Sequence, residues 1–342
     1  MKAIVLHGAG GGQMLRYEDV ATPEPGPGEV LVRVRAAGVN HCDIDLRNGT
    51  FGVTPNYPHV MGVDAAGEVA KLGPGVTQWK VGERVAPHFV LSCGVCANCL
   101  RGAENICLKF DVLGVTQWGG YGEYLKVGAH HLVRIPDALD FDQAVSAYVP
   151  FATAWEALIT VGKLTAGETV LVNAAGSGVG SAGNQIAKLA GAHVITTAGS
   201  DEKIIKAKAL GADHGINYNN TKIGDEVLKL TGGRGVDCAL DMVGGETLKQ
   251  SIHALAPGGR LVTVGAHGGE VVEIDLIELF RKHVSIHGCG RSTKAIAAQV
   301  LQLAAEGRLK PIIHQRFALK DAAKAQALLE SRTVFGRLVL NP

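Results

Sequence analysis

Hydrophobic and polar positions follow two different rhythms along the chain. Up to about residue 140 the apolar residues come in short bursts. Residues 30–36 (VLVRVRA) alternate apolar and charged side chains, the period of a strand with one face in water. Further bursts at 67–72, 84–86, 124–127 and 131–135 are separated by glycine and proline turns such as PEPGPGE and GPGV. Strands at that spacing predict a small antiparallel barrel or sandwich, with Gly26, Gly28, Gly73 and Gly75 as turn residues. After Pro136 the pattern changes. Residues 141–162 read as helix, and strand and helix signals then alternate: TVLVNAA into GSGVGSAGNQIAKLAG, HVITTAG into SDEKIIKAKALG, then VDCALDMV and RLVTVGA. Short apolar runs joined by helices of ten or more residues predict βαβ units and a parallel sheet. Residues 314–342 return to strand, amphipathic helix and strand, with no internal repeat and no low-complexity linker.

Composition narrows the classes. A chain of 342 residues has room for two domains, and 46% apolar residues exclude disorder. The 46 glycines, without a collagen period, indicate many tight turns and close backbone approaches. A net charge of +1 offers no field for nucleic acid or an anionic membrane. The start, MKAIVLHG, runs directly into a strand-like stretch rather than a targeting segment, and no run of uncharged apolar residues is long enough for a membrane span. Four of the seven cysteines crowd into residues 93–107, which is unlike a secreted disulfide framework and points to a reducing, cytoplasmic compartment.

Two motifs carry chemistry. The string AGSGVG, with Gly176, Ser177, Gly178, Val179 and Gly180, follows an apolar strand and opens a helix. In that setting glycine lets the backbone approach a pyrophosphate, and the free N–H groups at the helix start meet its charge. Elsewhere the same string would be only a tight strand-to-helix turn. The next strand ends Thr197-Ala198-Gly199-Ser200, with no acid at its tip to accept from a ribose 2′-hydroxyl. Ser200 and Lys203 offer a hydroxyl and an ammonium to a 2′-phosphate, which favours NADP(H); Ser200 is equally suited to capping the helix. Asp201 and Glu202 sit in the first helical turn, where the helix dipole favours acids.

The second motif is CGVCANCLRGAENIC, which spaces Cys93, Cys96, Cys99 and Cys107 by three, three and eight. Four thiolates around one ion suit tetrahedral Zn²⁺, and a complete shell leaves no position for substrate, so the expected role is structural. A bacterial iron–sulfur run would place its fourth cysteine sooner and follow it with proline, whereas Leu108 follows here.

With these residues in view, the chain resembles the medium-chain dehydrogenase/reductase superfamily, the zinc alcohol dehydrogenase and quinone reductase group, over its whole length. The markers are AAGVNHCDIDLRNG, PHVMGVDAAGEV with GPGVTQWKVGERV, the cysteine lobe, TAWEAL, AAGSGVGSAGNQIAK and the closing FGRLVL. The resemblance implies an α/β chain in which a Rossmann parallel-sheet domain interrupts a split, β-rich GroES-like catalytic domain. The expected limits are 1–150, 151–288 and a C-terminal return at 289–342.

The resemblance also implies roles. The alcohol dehydrogenases' three catalytic-zinc ligands match Asn40, Val63 and Val149, so the catalytic ion is expected to be lost while the cysteine lobe is kept. An improvised site from His41, Cys42, Asp43, His59 and Asp64 is disfavoured, because strand alternation would aim three consecutive residues differently and His59, beside Pro58, reads as a turn residue. Thr153 matches a threonine beside the nicotinamide, and Val179, Val264 and Ala266 match its backbone and apolar walls. Ser200, Lys203 and Tyr218 match the quinone reductases' 2′-phosphate binders, with Arg332 joining them. Asp45 stands where a relay histidine or a tyrosine would be and is a candidate proton donor, or else a solvated residue paired with Arg47. The implied activity is NADPH-dependent hydride transfer to a quinone or α,β-unsaturated carbonyl, with Asn40, Asp45 and Thr153 in the catalytic cleft. An alcohol dehydrogenase or carbonyl reductase, and a non-catalytic NADPH-binding protein, are the alternatives. The expected partners are a small-molecule substrate and further copies of the chain, as a homodimer or homotetramer, with no nucleic acid and no membrane.

Overall fold

The computed structural model describes all 342 residues. The chain divides into two compact units, one formed by Met1–Val149, Thr293–Gly307 and Pro311–Pro342, the other by Pro150–Ser292 and Arg308–Lys310.

The first unit is built around the strand Glu29–Gly38, whose alternating pattern buries Val30, Val32 and Val34. It pairs antiparallel with Ala65–Leu72, Tyr124–Gly128 and the last strand, Arg337–Asn341. That last strand in turn pairs parallel with Ile313–Ala318, and the sheet holds seven strands in all. A smaller sheet orders Leu15–Asp19, Lys2–Leu6 and His59–Val60. Ile4, Leu6, Met61, Tyr121, Leu125 and Leu340 close the core between these elements. The turn glycines divide by need: Gly28 and Gly75 take left-handed φ values, whereas Gly73 is required because a Cβ would lie 1.9 Å from the carbonyl oxygen of Gly26.

Two local expectations are corrected here. Residues 41–43 are not strand but the first turn of the helix His41–Asn48, so their side chains leave the backbone about 100° apart rather than on opposite faces. His59 is not a turn residue. It is buried in the short strand His59–Val60, with Nε2 3.0 Å from the carbonyl oxygen of Gly114.

The second unit is a six-stranded parallel sheet. Its spatial order is His214–Asn217, His193–Ala198, Thr169–Val172, Val236–Asp241, Leu255–Thr263 and Ser285–Gly288. Numbered along the chain this is 3-2-1-4-5-6, the doubly wound order whose reversal beside the first strand marks the dinucleotide crevice. Leu171, Ile195, Ala239, Leu261 and Ile252 form its core. The helical run Phe141–Val161 is long and apolar enough by composition to cross a membrane, but 72% of its most apolar stretch is buried in the fold, and it carries Asp142 and Glu156.

Candidate active site

In the second unit, the glycine-rich turn lies directly after the first strand of the parallel sheet. The helix Gly178–Leu189 begins with Ser177 as its cap, Oγ accepting from the N–H of Gly180 at 2.9 Å. Gly180 is obligatory, since a Cβ there would sit 2.1 Å from the carbonyl oxygen of Ala174. The turn itself is braced from below. Asn173, fully buried, donates to Asp241 Oδ2 at 3.0 Å and to Ser251 Oγ at 2.8 Å, and accepts from Thr197 Oγ1 at 3.1 Å. Asp241 Oδ1 accepts from the N–H groups of Val243 and Gly244, and burial raises its pKa. Ala174 takes a left-handed φ of 52° beside this network, its N–H held by Thr197 Oγ1. None of Asn173, Thr197, Asp241 or Ser251 was expected from sequence. They leave the helix start rigid, with its free N–H groups available to a pyrophosphate.

The end of the second strand brings together the residues expected to meet a 2′-phosphate. Ser200 is the cap of the helix Asp201–Ala209, accepting from the N–H of Lys203 at 3.4 Å, so the capping role is real and uses one lone pair of its hydroxyl. The two acids are turned to other partners: Asp201 accepts from Asn217 at 2.8 Å and Glu202 from Lys206 at 2.6 Å. Lys203 is half-buried, and desolvation lowers its pKa. Tyr218 is exposed, and its hydroxyl would lie 2.7 Å from a Cβ on Gly199, so glycine is what lets the phenol lie across the strand end. Asn219 adds a donor, bonding the carbonyl oxygen of Gly199 at 2.7 Å. Thr153, Val179, Val264 and Ala266 are half-buried in the same unit; Arg332 is exposed and belongs to the first.

In the first unit Asn40 stands at the start of the helix His41–Asn48, in a buried polar cluster. Its Oδ1 accepts from Arg337 Nη1 at 2.8 Å, and its Nδ2 donates to Asp64 Oδ1 at 3.2 Å. Arg337 and Asp64 are themselves paired at 2.8 Å, with side chains 8% and 0% exposed. Asp64 also accepts from the N–H of Gly38 at 2.9 Å. A second buried carboxylate, Asp43, accepts from the N–H of Asn40 at 2.9 Å, from Tyr121 Oη at 3.0 Å and from the N–H of Val63 at 3.2 Å. Burial, and then the charge of Asp64, push the Asp43 carboxyl up to about 7. The cluster thus holds two carboxylates against one guanidinium. Asp45 lies half-buried on the same helix, two residues before Arg47. Arg47 is buried against Gln326, Asn48 and Glu330. Arg337, Asp43 and Tyr121 were not anticipated as site residues. The signal for Arg337 was present in FGRLVL, but nothing local tells which residue a C-terminal arginine will meet.

The cysteine lobe gathers Cys93, Cys96, Cys99 and Cys107 with all four Sγ atoms within 4.8 Å of one another. Four of the six Sγ separations, at 3.5, 3.5, 3.8 and 4.0 Å, bracket the edge of about 3.8 Å of a tetrahedron with 2.3 Å metal–sulfur bonds. All four thiols are free of disulfide. Backbone N–H groups, foremost that of Leu108, lower the Cys96 thiol to about 6, while burial raises Cys99 to about 12. Cys96 is therefore much the readier of these two to ionise. The donor set fits one tetrahedral metal.

Comparison with known proteins agrees with this architecture. The alcohol dehydrogenase GroES-like domain family matches residues 26–137, and the zinc-binding dehydrogenase family matches residues 178–306. A quinone oxidoreductase of Pseudomonas aeruginosa is 33% identical across 100% of this chain and 99% of its own. An NAD-dependent alcohol dehydrogenase of Sulfolobus acidocaldarius is 35% identical across 99% of both chains. A solved NAD-dependent alcohol dehydrogenase superposes with a TM-score of 0.96 at 40% identity, covering both chains completely. The parallel sheet, the GroES-like unit and these likenesses together make the chain an oxidoreductase of the medium-chain dehydrogenase/reductase superfamily.

Proposed function

We propose that this chain reduces quinones or α,β-unsaturated carbonyl compounds with NADPH, without a catalytic zinc. The observation that carries the reading is the donor set at the three positions where the superfamily's alcohol dehydrogenases hold their catalytic ion. Val63 and Val149 have no lone pair to give, and the carboxamide of Asn40 is bound by Arg337 and Asp64. Three protein ligands are needed for such a site, so these residues do not fit the ion. Two of the other ligand types nearby are engaged: Asp43 by Tyr121 and two backbone N–H groups, His59 by Gly114.

A conjugated acceptor needs less activation than a simple ketone, because the charge that arrives spreads onto a remote oxygen. Hydrogen bonds can then do what a Lewis acid does elsewhere. NADPH, when bound, supplies the hydride. The helix start at Gly178 meets its pyrophosphate, and Ser200, Lys203 and Tyr218 of the same unit meet its 2′-phosphate; Arg332 is a candidate there on the family resemblance alone. Thr153, Val179, Val264 and Ala266 wall the nicotinamide. Asn40 donates to the carbonyl oxygen, and Asp45 or water returns the proton. The cysteine lobe holds one structural Zn²⁺, its shell complete without substrate. Self-association is supported by the unpaired edge strand Ser285–Gly288 and the exposed Leu276, Ile277 and Phe280 in the second unit.

The likeness to NAD-dependent alcohol dehydrogenases supports a second reading, alcohol oxidation. Steady-state kinetics on quinones, enones and secondary alcohols with each cofactor separates the two. NADPH-driven enone or quinone turnover is expected to dominate; a higher kcat/KM for alcohol oxidation with NAD would overturn the proposal. Within it, Asp45→Asn is expected to lower kcat about a hundredfold if Asp45 is the acid, and an unchanged kcat assigns the proton to water.

A further inference from the structure

The proposed role of Asn40 depends on which way its carboxamide faces, and two neighbours decide that. Arg337 can only donate and the Asp64 carboxylate can only accept. One orientation alone satisfies both: Oδ1 toward Arg337 Nη1 at 2.8 Å and Nδ2 toward Asp64 Oδ1 at 3.2 Å. Turning the amide over would set its NH₂ against the guanidinium and its oxygen against the carboxylate. Both clamping groups are themselves fixed. Arg337 Nη1 also holds the carbonyl oxygen of Val39 at 3.1 Å, Nη2 holds Asp64 Oδ2 at 2.8 Å, and Asp64 takes the N–H of Gly38 at 2.9 Å. Gly38 leaves the space for them, since a Cβ there would fall 2.2 Å from Arg337 Nη2 and 2.6 Å from Asp64 Oδ1. The second N–H of Asn40 reaches only the carbonyl oxygen of Gly38 at 3.5 Å, the outer limit of a hydrogen bond. It can be surrendered to a better acceptor.

We infer that Arg337 and Asp64 are positioning residues that lock the Asn40 carboxamide with one N–H open to the substrate's carbonyl oxygen, and that this lock sets kcat. The inference rests on the reading of Asn40 as the donor to that oxygen. Arg337 further polarises the amide by drawing on Oδ1, which strengthens the N–H as a donor. The last strand of the chain thus serves the site directly, delivering Arg337 across 297 residues to Asn40.

A double-mutant cycle on NADPH–enone turnover tests this. Asn40→Ala measures what the donor is worth, expected at about a hundredfold in kcat. Arg337→Lys keeps a charge for Asp64 but loses the forked contact, and it is expected to lower kcat by a similar factor while leaving the NADPH Kd and the KM for NADPH unchanged. In the double variant the two losses should not multiply, because both act through one amide. Multiplying losses, or a folded Arg337→Lys protein with kcat within about twofold of the parent, where a tenfold loss would already be about 1.4 kcal/mol, would overturn the inference. Should Arg337→Lys not fold, Asp64→Asn makes the same test from the other side of the amide, because it keeps the volume but no longer demands an N–H. A parent that turns over no quinone or enone would refute the functional reading instead, before any variant is made.

Discussion

The cysteine lobe and the Asp64–Arg337 cluster belong to the same unit and are assembled in opposite ways. The lobe's four sulfurs come from 15 consecutive residues, and three of the four are half-exposed. Its chemistry is complete within one loop, so removing it damages that loop. The cluster joins Asn40 and Asp64 to Arg337 across 297 and 273 residues, and its ion pair lies almost wholly out of water. A buried pair is weak evidence for stability as a unit, but breaking one side leaves a charge without solvent or partner.

The largest expected effect follows from that contrast. Arg337→Met strands Asp64, and should cost about 3–5 kcal/mol of global stability in denaturant unfolding. Cys99→Ser, by contrast, should release the metal and loosen the lobe while the cooperative unfolding of the sheet changes much less. Zinc analysis and unfolding curves of both variants check this; equal global losses would erase the distinction between a local and a long-range site.

The same distinction governs what could be read from the sequence. The cysteine lobe, the glycine turn and the strand-end residues Ser200 and Lys203 are each encoded within a few residues of themselves, and the structure gathers them as their spacing implied. The parallel sheet was legible for the same reason, since its periodicity is local. Arg337 was not legible as a site residue, because its partners are set by strand pairing between the chain's two ends, and the Tyr121–Asp43 contact spans 78 residues; periodicity carries no register. The strand reading of residues 41–43 failed because Asn40 and Asp43 form a helix start, Asp43 Oδ2 accepting from the N–H of Asn40, within a stretch too short to show a helical period.

A smaller effect concerns the cofactor end. Lys203→Ala is expected to weaken NADPH binding about tenfold, some 1.4 kcal/mol, while sparing NADH, since only NADPH carries the phosphate. Titrations of both cofactors check it. Equal losses would assign Lys203 to the fold or the pyrophosphate, and the strand end would no longer be a locally encoded site.

The remaining effect is a pH slope peculiar to the buried cluster. The Asp43 carboxyl is raised to about 7, above its ordinary unfolded value near 4. Between those limits the folded state holds the extra proton, so Asp43 makes stability fall as pH rises from about 4 to about 7. His131 works the other way. Burial lowers it to about 3, so its share of stability is present above about 6.5 and is lost as pH falls toward 3. Comparing the parent with Asp43→Asn cancels the His131 slope. Relative to the variant, the parent should lose on the order of 2–3 kcal/mol between pH 5 and 7.5. A pH-independent difference would mean that Asp43 stays ionised throughout.

On the proposed function, hydride transfer here needs the lobe's metal for structure and none for chemistry. Zinc counted on metal-replete protein whose NADPH–enone turnover has been measured in the same sample tests it most directly. One zinc per chain with full turnover is the result predicted. Two zincs per chain, with turnover lost when a chelator removes the more weakly held one, would contradict it.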